Sequence, residues 1–204
     1  MISDRRKEKF KKVAAARQRM TVILENVHDP HNIGAVLRSC DAVGIQEIYI
    51  LYTEDRLQQA RLEQMSTTST GVKKWMQIHF YRDVQECFTA IKKTYDLVLA
   101  THLDKEAKDL HALDLKGNIA FLFGNEHEGL SEEALSYADG NFIIPQFGMV
   151  QSLNISVACA ITLYEALRQR KEAGMYLQNI EEANEENQAL YKHFVDKHNL
   201  SYKK

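Results

Sequence analysis

Short apolar segments that alternate with helical patterns constrain the fold of this chain more than any other feature. Segments with the length and the apolar, β-branched content of buried strands lie at residues 21–25, 47–51, 76–80, 96–101, 119–124 and 142–145. Apolar residues at helical spacing occupy residues 33–43, 83–94, 132–138 and 154–171. Strands and helices in alternation form a mainly parallel sheet with helices on both faces. The sequence therefore predicts an α/β fold, and its 204 residues suffice for one such domain with a sizeable core.

The helix predicted at residues 154–171 is apolar on nearly all sides in its first half, so it should lie inside the fold. Ser152 and Asn154 stand where this helix begins, and the first turn of a helix has N–H groups without intrahelical partners. Both residue types are ordinary N-caps, and both also suit a ligand site at the mouth of a buried helix. This segment alone does not distinguish the two interpretations.

Positive charge is concentrated at the amino terminus. The whole chain has 26 Lys and Arg against 28 Asp and Glu, so its formal net charge is −2 at pH 7. Residues 1–20 nevertheless combine eight basic side chains with only Asp4 and Glu8. A basic arm beside a neutral body is typical of proteins that bind a phosphate backbone, although a solubilising surface helix has the same composition. The candidate contacts to a nucleic acid are Arg5, Arg6, Lys9, Lys11, Lys12, Arg17 and Arg19.

Several classes of protein are disfavoured by what the sequence lacks. No run approaches the length of a membrane span, and the basic arm has no apolar segment typical of a secretory signal. The patterns G-x-G-x-x-G, G-x-x-x-x-G-K-[ST] and G-x-S-x-G do not occur, which argues against dinucleotide enzymes, nucleotide triphosphatases and α/β-hydrolases. His28 and His31 lack a cysteine or carboxylate at zinc-ligand spacing, so we expect no metal. Cys40, Cys87 and Cys159 lie far apart in apolar surroundings, which indicates reduced thiols in a cytoplasmic protein.

Three groups of polar residues are expected at the carboxyl ends of the predicted strands, where open α/β sheets bind ligands. The first follows residue 25 and contains Asn32 and, on another face of the same helix, Arg38. The second is the glycine-bounded loop 124–130, and the third is the segment 144–156 that leads into the apolar helix. Each has an ordinary alternative when taken alone: a surface arginine, a plain turn and a helix cap. Their occurrence together is more informative than any one of them.

Together the three groups resemble the three motifs of the SpoU branch of the SPOUT RNA 2′-O-ribose methyltransferases, and the resemblance extends over residues 20–176. In this sequence the motifs are Asn32-x-Gly34-x-x-x-Arg38, Gly124-Asn125-Glu126-x-x-Gly129-Leu130, and Ile144-Pro145 followed by Gly148-x-x-x-Ser152-Leu153-Asn154-x-Ser156. The resemblance implies an α/β sheet whose C-terminal part forms a trefoil knot, which general rules of chain topology would not predict. It also implies a homodimer, with S-adenosylmethionine held as cofactor by the knot loops.

The resemblance also implies site residues, position by position. The contacts it implies with S-adenosylmethionine come from Thr101, His102, Gly124, Asn125, Ile144, Gly148 and Leu153. The catalytic and substrate-binding positions that it implies are Asn32, Arg38, Glu126, Ser152 and Asn154. A ribose hydroxyl is a very weak acid, so methyl transfer needs help with its proton and with the alkoxide charge. Two roles remain open for Arg38, a base or an electrostatic stabiliser of that charge.

The segments that flank the predicted methyltransferase domain at residues 21–174 help to indicate which RNA is the substrate. They are the basic arm at residues 1–20 and a helical extension at residues 175–204, which has apolar residues at helical spacing but no excess of positive charge. This layout resembles family members that methylate guanosine 18 in the D-loop of tRNA. The alternatives are the same chemistry on ribosomal RNA or on the tRNA wobble nucleotide, and, from another class, a non-catalytic RNA-binding protein. The extension could contact RNA or pack in a dimer.

Overall fold

A computed structural model describes residues 2–54, 74–150 and 152–201 of the chain. Within these ranges the strands are β1 (Met20–Glu25), β2 (Glu47–Leu51), β3 (Gln77–Tyr81), β4 (Leu97–Thr101), β5 (Lys108–Asp109), β6 (Ile119–Phe123) and β7 (Gly140–Ile143). They form one seven-stranded sheet in the order β3-β2-β1-β6-β4-β7-β5, and each of these pairings is parallel. The predicted parallel sheet is confirmed. Only the two-residue strand β5 has no counterpart among the predicted segments.

The helices in the described ranges are α1 (Asp4–Ala15), α2 (Pro30–Ala42), α3 (Val84–Ile91), α4 (Glu132–Leu135), α5 (Ile155–Glu172) and α6 (Glu185–Ser201). Side-chain caps define where four of them begin. Asp29, Asp83, Ser131 and Asn154 each accept a backbone N–H bond from the first turn of α2, α3, α4 and α5. Helix α4 is shorter than the helix predicted at residues 132–138, since it consists of a single turn that ends at Leu135.

Two hydrophobic clusters lie on opposite faces of the sheet, which confirms that helices cover both. One cluster packs α2 and α5 against residues such as Val22 and Phe121, and the other packs α3 and α4 against residues such as Ile23 and Leu122. Cys40, Cys87 and Cys159 are buried and free, as expected for reduced core thiols. Burial raises the pKa of the Cys87 thiol to about 12, which keeps it protonated and unreactive at neutral pH.

A third hydrophobic cluster joins the two ends of the chain. Phe10 and Ala14 of α1 pack against Phe194 of α6 and against Ile180 in the turn before it. Two hydrogen bonds reinforce this contact, because Asn187 Nδ2 donates to the carbonyls of Ala15 and Arg17. The apolar residues that the C-terminal extension carries at helical spacing therefore pack against the basic arm of the same chain.

The loops after β1, β6, β4 and β7 converge at one edge of the sheet, because these four strands are neighbours and run in the same direction. The α1–α6 pair lies at the opposite edge, because it contacts residues that precede β1 and β3. Asn187 of α6 donates to the Arg17 carbonyl ahead of β1, and the ring of Phe10 in α1 lies 5.2 Å from the ring of Trp75 ahead of β3. No helix in the described ranges is both long and apolar enough to cross a membrane.

Candidate active site

Three side chains from distant parts of the sequence meet at the carboxyl edge of the sheet. Asn32 lies in the first turn of α2, Glu126 in the loop after β6, and Asn154 caps α5. Asn32 Nδ2 donates to Glu126 Oε1 at 2.9 Å, and Asn154 Nδ2 donates to the same oxygen at 2.8 Å. Asn154 Nδ2 also lies 3.0 Å from Asn32 Oδ1. We call this closed arrangement the Asn–Glu–Asn triangle. Its hydrogen bonds to a carboxylate are of the stronger, charge-assisted kind.

The loop that carries Glu126 is shaped by its own backbone. Asn125 and Gly129 form an antiparallel bridge with two N–H···O bonds of 3.1 Å, and Asn125 Oδ1 accepts bonds from the amides of His127 and Glu128. A Cβ atom on Gly124 would lie 2.1 Å from the Gly129 carbonyl oxygen, so no larger residue fits. Gly129 has a φ of +71°, which favours glycine. These two glycines are thus required to close the loop. If Gly124 and Asn125 also bind the cofactor, that role is additional to their structural one.

Asn154 caps its helix and also makes hydrogen bonds across the candidate site. Its Oδ1 accepts bonds from the backbone N–H and the hydroxyl of Ser156, at 2.9 and 2.6 Å, and so caps α5. Its Nδ2 simultaneously completes the triangle. Ser152 lies outside the cap, is exposed and makes no hydrogen bond within the described ranges. Asn154 therefore joins the start of α5 to the candidate site. The expectation that this helix lies inside the fold holds for one face only, because Val157 and Tyr164 on another face are exposed.

Arg38 is not part of the triangle. It is exposed on α2 and forms no hydrogen bond or ion pair with any residue in the described part of the chain. Asn32 and Glu126 make their side-chain hydrogen bonds to each other and to Asn154, and none of these bonds reaches Arg38. Six residues separate Asn32 from Arg38, which places them on different faces of the helix. The guanidinium is consequently free to meet an anionic group from outside the chain.

The residues expected to hold the cofactor lie at the ends of three adjacent strands. Thr101 ends β4 and donates its hydroxyl to the Leu122 carbonyl of β6 at 3.3 Å, with His102 next to it. Ile144 follows β7, and Gly148 and Leu153 lie in the segment between β7 and α5. The backbone of residues 146–150 and 152–153 makes no backbone hydrogen bond to other described residues. This segment therefore presents peptide groups that can bind a ligand.

Sequence reasoning missed a polar contact between two of these loops. Asn141 of β7 donates its side-chain amide to the carboxylate of Asp104, which follows β4. The pKa of Asp104 is lowered, chiefly by the hydrogen bond from the Glu106 backbone and also by that from Asn141. A lone Asn in a short strand and a lone Asp in a loop carry no motif, so no signal in the sequence pointed to this pair.

Large apolar side chains beside the site are exposed. Phe147 and Met149 are 99% and 100% exposed, and Val157 and Tyr164 project from α5 with 46% and 53% of their surface in solvent. Large apolar side chains with this much exposure are typical of ligand-binding or subunit-contact surfaces when they form a patch. The described residues contain no group of three or more His, Cys, Asp or Glu side chains arranged to hold a metal ion.

The basic arm is the helix α1, and its cations differ in their surroundings. Arg5, Lys9 and Lys12 are exposed and form no ion pair within the described ranges. Lys11 pairs with Glu8 at 3.3 Å, Arg6 lies 5.8 Å from the centre of the Phe10 ring, and Arg19 pairs with Glu186 of α6 at 2.7 Å.

Arg17 requires a correction. Its side chain is only 3% exposed, and its guanidinium donates to the Ile45 carbonyl and to Asp41, both at 2.8 Å. It is therefore not a surface cation like Arg5 or Lys9. No local pattern indicated this, because burial of Arg17 depends on a contact with residues 24 and 28 positions away.

The parallel sheet, covered on both faces and with three motif-bearing loops at one edge, defines an α/β protein of the type that binds substrates at the carboxyl ends of its strands. Comparison with known families makes the class specific. The chain belongs to the SpoU rRNA Methylase family, whose model matches residues 19–164.

Individual relatives agree with this assignment. The chain is 43% identical to the tRNA (guanosine(18)-2′-O)-methyltransferase of Thermus thermophilus over 175 residues, which cover 85% of this chain and 88% of that protein. Its structure is similar to that of the TrmH/SpoU tRNA-modifying enzyme of A. aeolicus, with a TM-score of 0.79, 33% identity and coverage of 95% and 96% of the two chains. The SpoU methyltransferase AviRb of Streptomyces viridochromogenes, solved in complex with AdoMet, matches with a TM-score of 0.65 and 25% identity over 74% of this chain and 57% of its own.

Proposed function

We propose that this protein is an S-adenosylmethionine-dependent RNA 2′-O-methyltransferase that acts on the ribose of guanosine 18 in the D-loop of tRNA. The observation that carries the proposal is the Asn–Glu–Asn triangle, in which each of the three motifs contributes one residue. A protein that had kept only the fold would have no need of this polar arrangement at an exposed edge. The choice of tRNA rests on the similarity to the Thermus relative, although the description of the family refers to rRNA.

The cofactor would be held at the ends of β6, β4 and β7. When bound, S-adenosylmethionine supplies a methyl group on a positively charged sulfur. The free peptide groups of residues 146–150 and 152–153 fit the polar parts of such a molecule, and the exposed Phe147 and Met149 can cover its apolar parts. Thr101, His102 and Asn125 adjoin the same space from the neighbouring strand ends. The AviRb complex with AdoMet supports this choice of cofactor for the family.

The side chains of the chain itself position the ribose and stabilise charge. The Asn–Glu–Asn triangle fixes the carboxylate of Glu126, whose second oxygen makes no hydrogen bond within the described ranges and can accept one from a hydroxyl. Arg38 supplies an exposed positive charge that can pair with an RNA phosphate and with the developing alkoxide. Ser152, exposed beside Asn154, completes the polar edge. Fixed polar groups and one free cation are the arrangement that this transfer requires.

The function is tested by incubating the purified protein with isotopically labelled S-adenosylmethionine and an unmodified tRNA transcript, followed by nuclease digestion and mass spectrometry. We expect one labelled methyl group, on the ribose of guanosine 18. A transcript with a 2′-deoxy residue at that position is the matched control, and it should accept no label. Label on a base, or none on any RNA, would contradict the proposal.

The alternatives are separated by the substrate in the same assay. Label that enters ribosomal RNA or the tRNA wobble ribose, and not guanosine 18, would favour the family's other substrates. A non-catalytic RNA-binding protein would bind the transcript without incorporating label into any RNA. The three buried, free cysteines fit a cytoplasmic protein, which cell fractionation tests.

A homodimer is part of the proposal, because the exposed apolar groups of α5 need cover. Val157 and Tyr164 lie seven residues apart on one face of this helix. Light scattering should give twice the chain mass of 23.5 kDa, and Tyr164→Glu should shift the protein towards the monomer. Leu200→Glu, at an exposed apolar residue of α6, is the control and should leave the mass unchanged. The expected trefoil knot is tested by an experimental map that traces residues 119–172.

A further inference from the structure

A buried carboxylate, that of Glu25, lies at the carboxyl end of β1. Glu25 is 1% exposed and forms no ion pair with any residue in the described ranges. By the alternation of side chains along a strand, it faces the same side of the sheet as Ile23, which belongs to the apolar cluster under α3 and α4. Burial of a charged group costs free energy unless its oxygens are hydrogen-bonded. The hydrogen-bond partners of this carboxylate therefore indicate what it contributes.

Both oxygens of Glu25 are bound by a single residue, Ser131. Ser131 Oγ donates to Oε1 at 2.6 Å, and the Ser131 backbone N–H donates to Oε2 at 2.9 Å. Ser131 separately caps α4, because its Oγ accepts the N–H of Ala134 at 3.1 Å. The cap does not need Glu25. The two bonds to the carboxylate instead join the end of β1 to the segment that leaves the 124–130 loop.

The loop that carries Glu126 is thus attached to the sheet at both ends. Its first end continues β6, and the bridge between Asn125 and Gly129 closes the loop into one unit. Such a unit can tilt about its first end unless its second end is also fixed. The second end is fixed at Ser131 by Glu25, so the carboxylate restrains the direction in which Glu126 projects.

The strand end that bears Glu25 is itself held firmly. Asn26, the next residue, donates from its Nδ2 to Thr53 Oγ1 at 2.8 Å, and its Oδ1 accepts the Thr53 N–H at 3.0 Å. Asn32 lies further along the same connection, in the first turn of α2. The end of β1 is therefore a common fixed point for two corners of the Asn–Glu–Asn triangle.

We infer that Glu25 is a positioning residue of the methylation reaction, which acts by holding Glu126 and does not touch the substrate. This inference rests on the proposed function. Glu25 is too deeply buried to meet a ribose, and both of its oxygens are occupied by Ser131. A displacement of about 1 Å at a catalytic group can cost about a hundredfold in rate. Loss of the two bonds to Ser131 should therefore slow the reaction although every group at the ribose is still present.

The test compares two replacements of Glu25 that have nearly its shape. Glu25→Met removes both acceptors, and kcat at saturating tRNA and S-adenosylmethionine should fall by about tenfold or more. Its affinity for S-adenosylmethionine, measured by calorimetry, should not change, because Gly124 and Asn125 remain attached to β6. Glu25→Gln should keep most of the activity, since an amide can accept from the Ser131 N–H and donate to Ser131 Oγ. A Glu25→Met protein with wild-type kcat would overturn the inference.

Thr21 provides the matched control, because it lies on the same face of β1 at the other end of the strand. It is fully buried, and its Oγ1 donates to the Glu47 carbonyl at 2.8 Å. Thr21→Val removes this buried bond about 13 Å along the strand from Glu25, so it should lower the melting temperature and leave kcat unchanged. Equal losses of kcat in Thr21→Val and Glu25→Met would show that general stability, and not positioning, is responsible.

Ser131 tests the same contact from its other side, and does so even if Glu25→Met does not fold. Ser131→Ala loses one of the two bonds to Glu25 and keeps the backbone bond. Its kcat should fall by less than that of Glu25→Met. An undiminished kcat in Ser131→Ala would contradict the inference.

The triangle can also be observed without any substrate. In ¹⁵N-labelled protein, the side-chain amides of Asn32 and Asn154, which donate to Glu126 Oε1, give NMR signals of their own. These signals should shift and exchange faster with water in Glu25→Met, and should match wild type in Glu25→Gln and Thr21→Val. Signals that do not move in Glu25→Met would mean that Glu25 does not hold Glu126.

These two measurements separate failure of this inference from failure of the proposed function. If the wild-type protein methylates no RNA, the proposed function is wrong, and the amide signals still decide whether Glu25 holds Glu126. If the wild-type protein methylates tRNA and Glu25→Met does so at the same rate, only the positioning role is wrong.

Discussion

Glu126 and Arg38 represent two different kinds of site residue. The carboxylate of Glu126 is fixed by Asn32 and Asn154 before any substrate is present. Arg38, exposed and without an ion pair in the described ranges, has to be positioned by what it binds. In the proposed function, the fixed groups orient the ribose and the exposed cation pairs with the phosphate.

Replacing Arg38 by alanine should abolish methyl transfer while leaving the affinity for S-adenosylmethionine unchanged. The reason is that Arg38 lies on α2, whereas the proposed cofactor contacts come from the loops after β4, β6 and β7. Calorimetric titration measures the affinity, and single-turnover assays measure the rate. Arg38→Lys, which keeps a positive charge, should retain part of the rate if the role is electrostatic. A rate above about a tenth of wild type, a barrier increase below about 1.4 kcal/mol, would exclude Arg38 from the reaction.

The two functions of Asn154 can be separated by substitution. Asn154→Ser keeps a good N-cap but removes the amide donor of the triangle, so stability should stay within a few tenths of a kcal/mol while activity falls. Asn154→Ala removes both, and should also lower the free energy of unfolding by about 1 kcal/mol. Thermal melts and methylation assays measure the two effects. Normal activity in Asn154→Ser would mean that the residue is only a cap. Ser152→Ala, at an exposed residue outside the cap, should melt normally and should lower activity only if Ser152 contacts a ligand.

At the scale of elements, the loop between β6 and α4 should tolerate far less change than the loop between β7 and α5. Gly124→Ala would place a methyl group 2.1 Å from a backbone carbonyl, and we expect a decrease in stability of about 3 kcal/mol or more. Gly148→Ala meets nothing within 4 Å, so the protein should melt normally. Only binding of S-adenosylmethionine should suffer in Gly148→Ala if that position faces the cofactor. Equal melting temperatures for Gly124→Ala and wild type would contradict the loop geometry.

The amino-terminal helix is a structural element as well as a charged one. Deletion of residues 1–16 would expose Phe194 and Ile180, which pack against α1. We expect a lower melting temperature and rapid proteolysis within α6, while the sheet and its bound cofactor persist. Limited proteolysis with mass spectrometry locates the cleavage. For this reason charge substitutions on the exposed face of α1 test RNA binding better than truncation does.

The local sequence pattern predicted the positions of the helices and strands well, but it did not predict the tertiary contacts between them. Apolar runs and caps such as Asp83 and Asn154 are local signals, and the strands and helices they mark were found close to their predicted positions. Burial of Arg17 and the packing of α6 against α1 depend on contacts between residues that are far apart in the sequence, and local hydrophobic periodicity does not indicate such contacts. The glycines of the 124–130 loop are evident in the sequence, but the need for glycine at position 124 comes from the folded loop, in which the Gly129 carbonyl occupies the place of a side chain.

For the molecule as a whole, the parallel sheet followed from the alternation of strands and helices, whereas the strand order did not. Placement of β6 between β1 and β4 brings Glu126 beside Asn32, although the two residues are 94 positions apart. Many strand orders are compatible with the same alternation, so physical pattern alone could not have joined these side chains. The resemblance of the motifs suggested that they belong together, and the hydrogen bonds of the triangle supply the geometry.

Asn154 caps α5 and also holds Glu126, and this limits which substitutions can accumulate at residue 154 during evolution. In many enzymes the groups that perform chemistry are strained or poorly satisfied, so substitutions there gain stability as they lose activity. Here the same side chain begins α5 and holds Glu126, so most replacements lose on both counts. Substitutions that raise stability while they lower activity should therefore be rare at this position. A saturation library at residue 154, sorted separately for abundance and for methylation, would show the two scores falling together for every residue except the small polar cap formers.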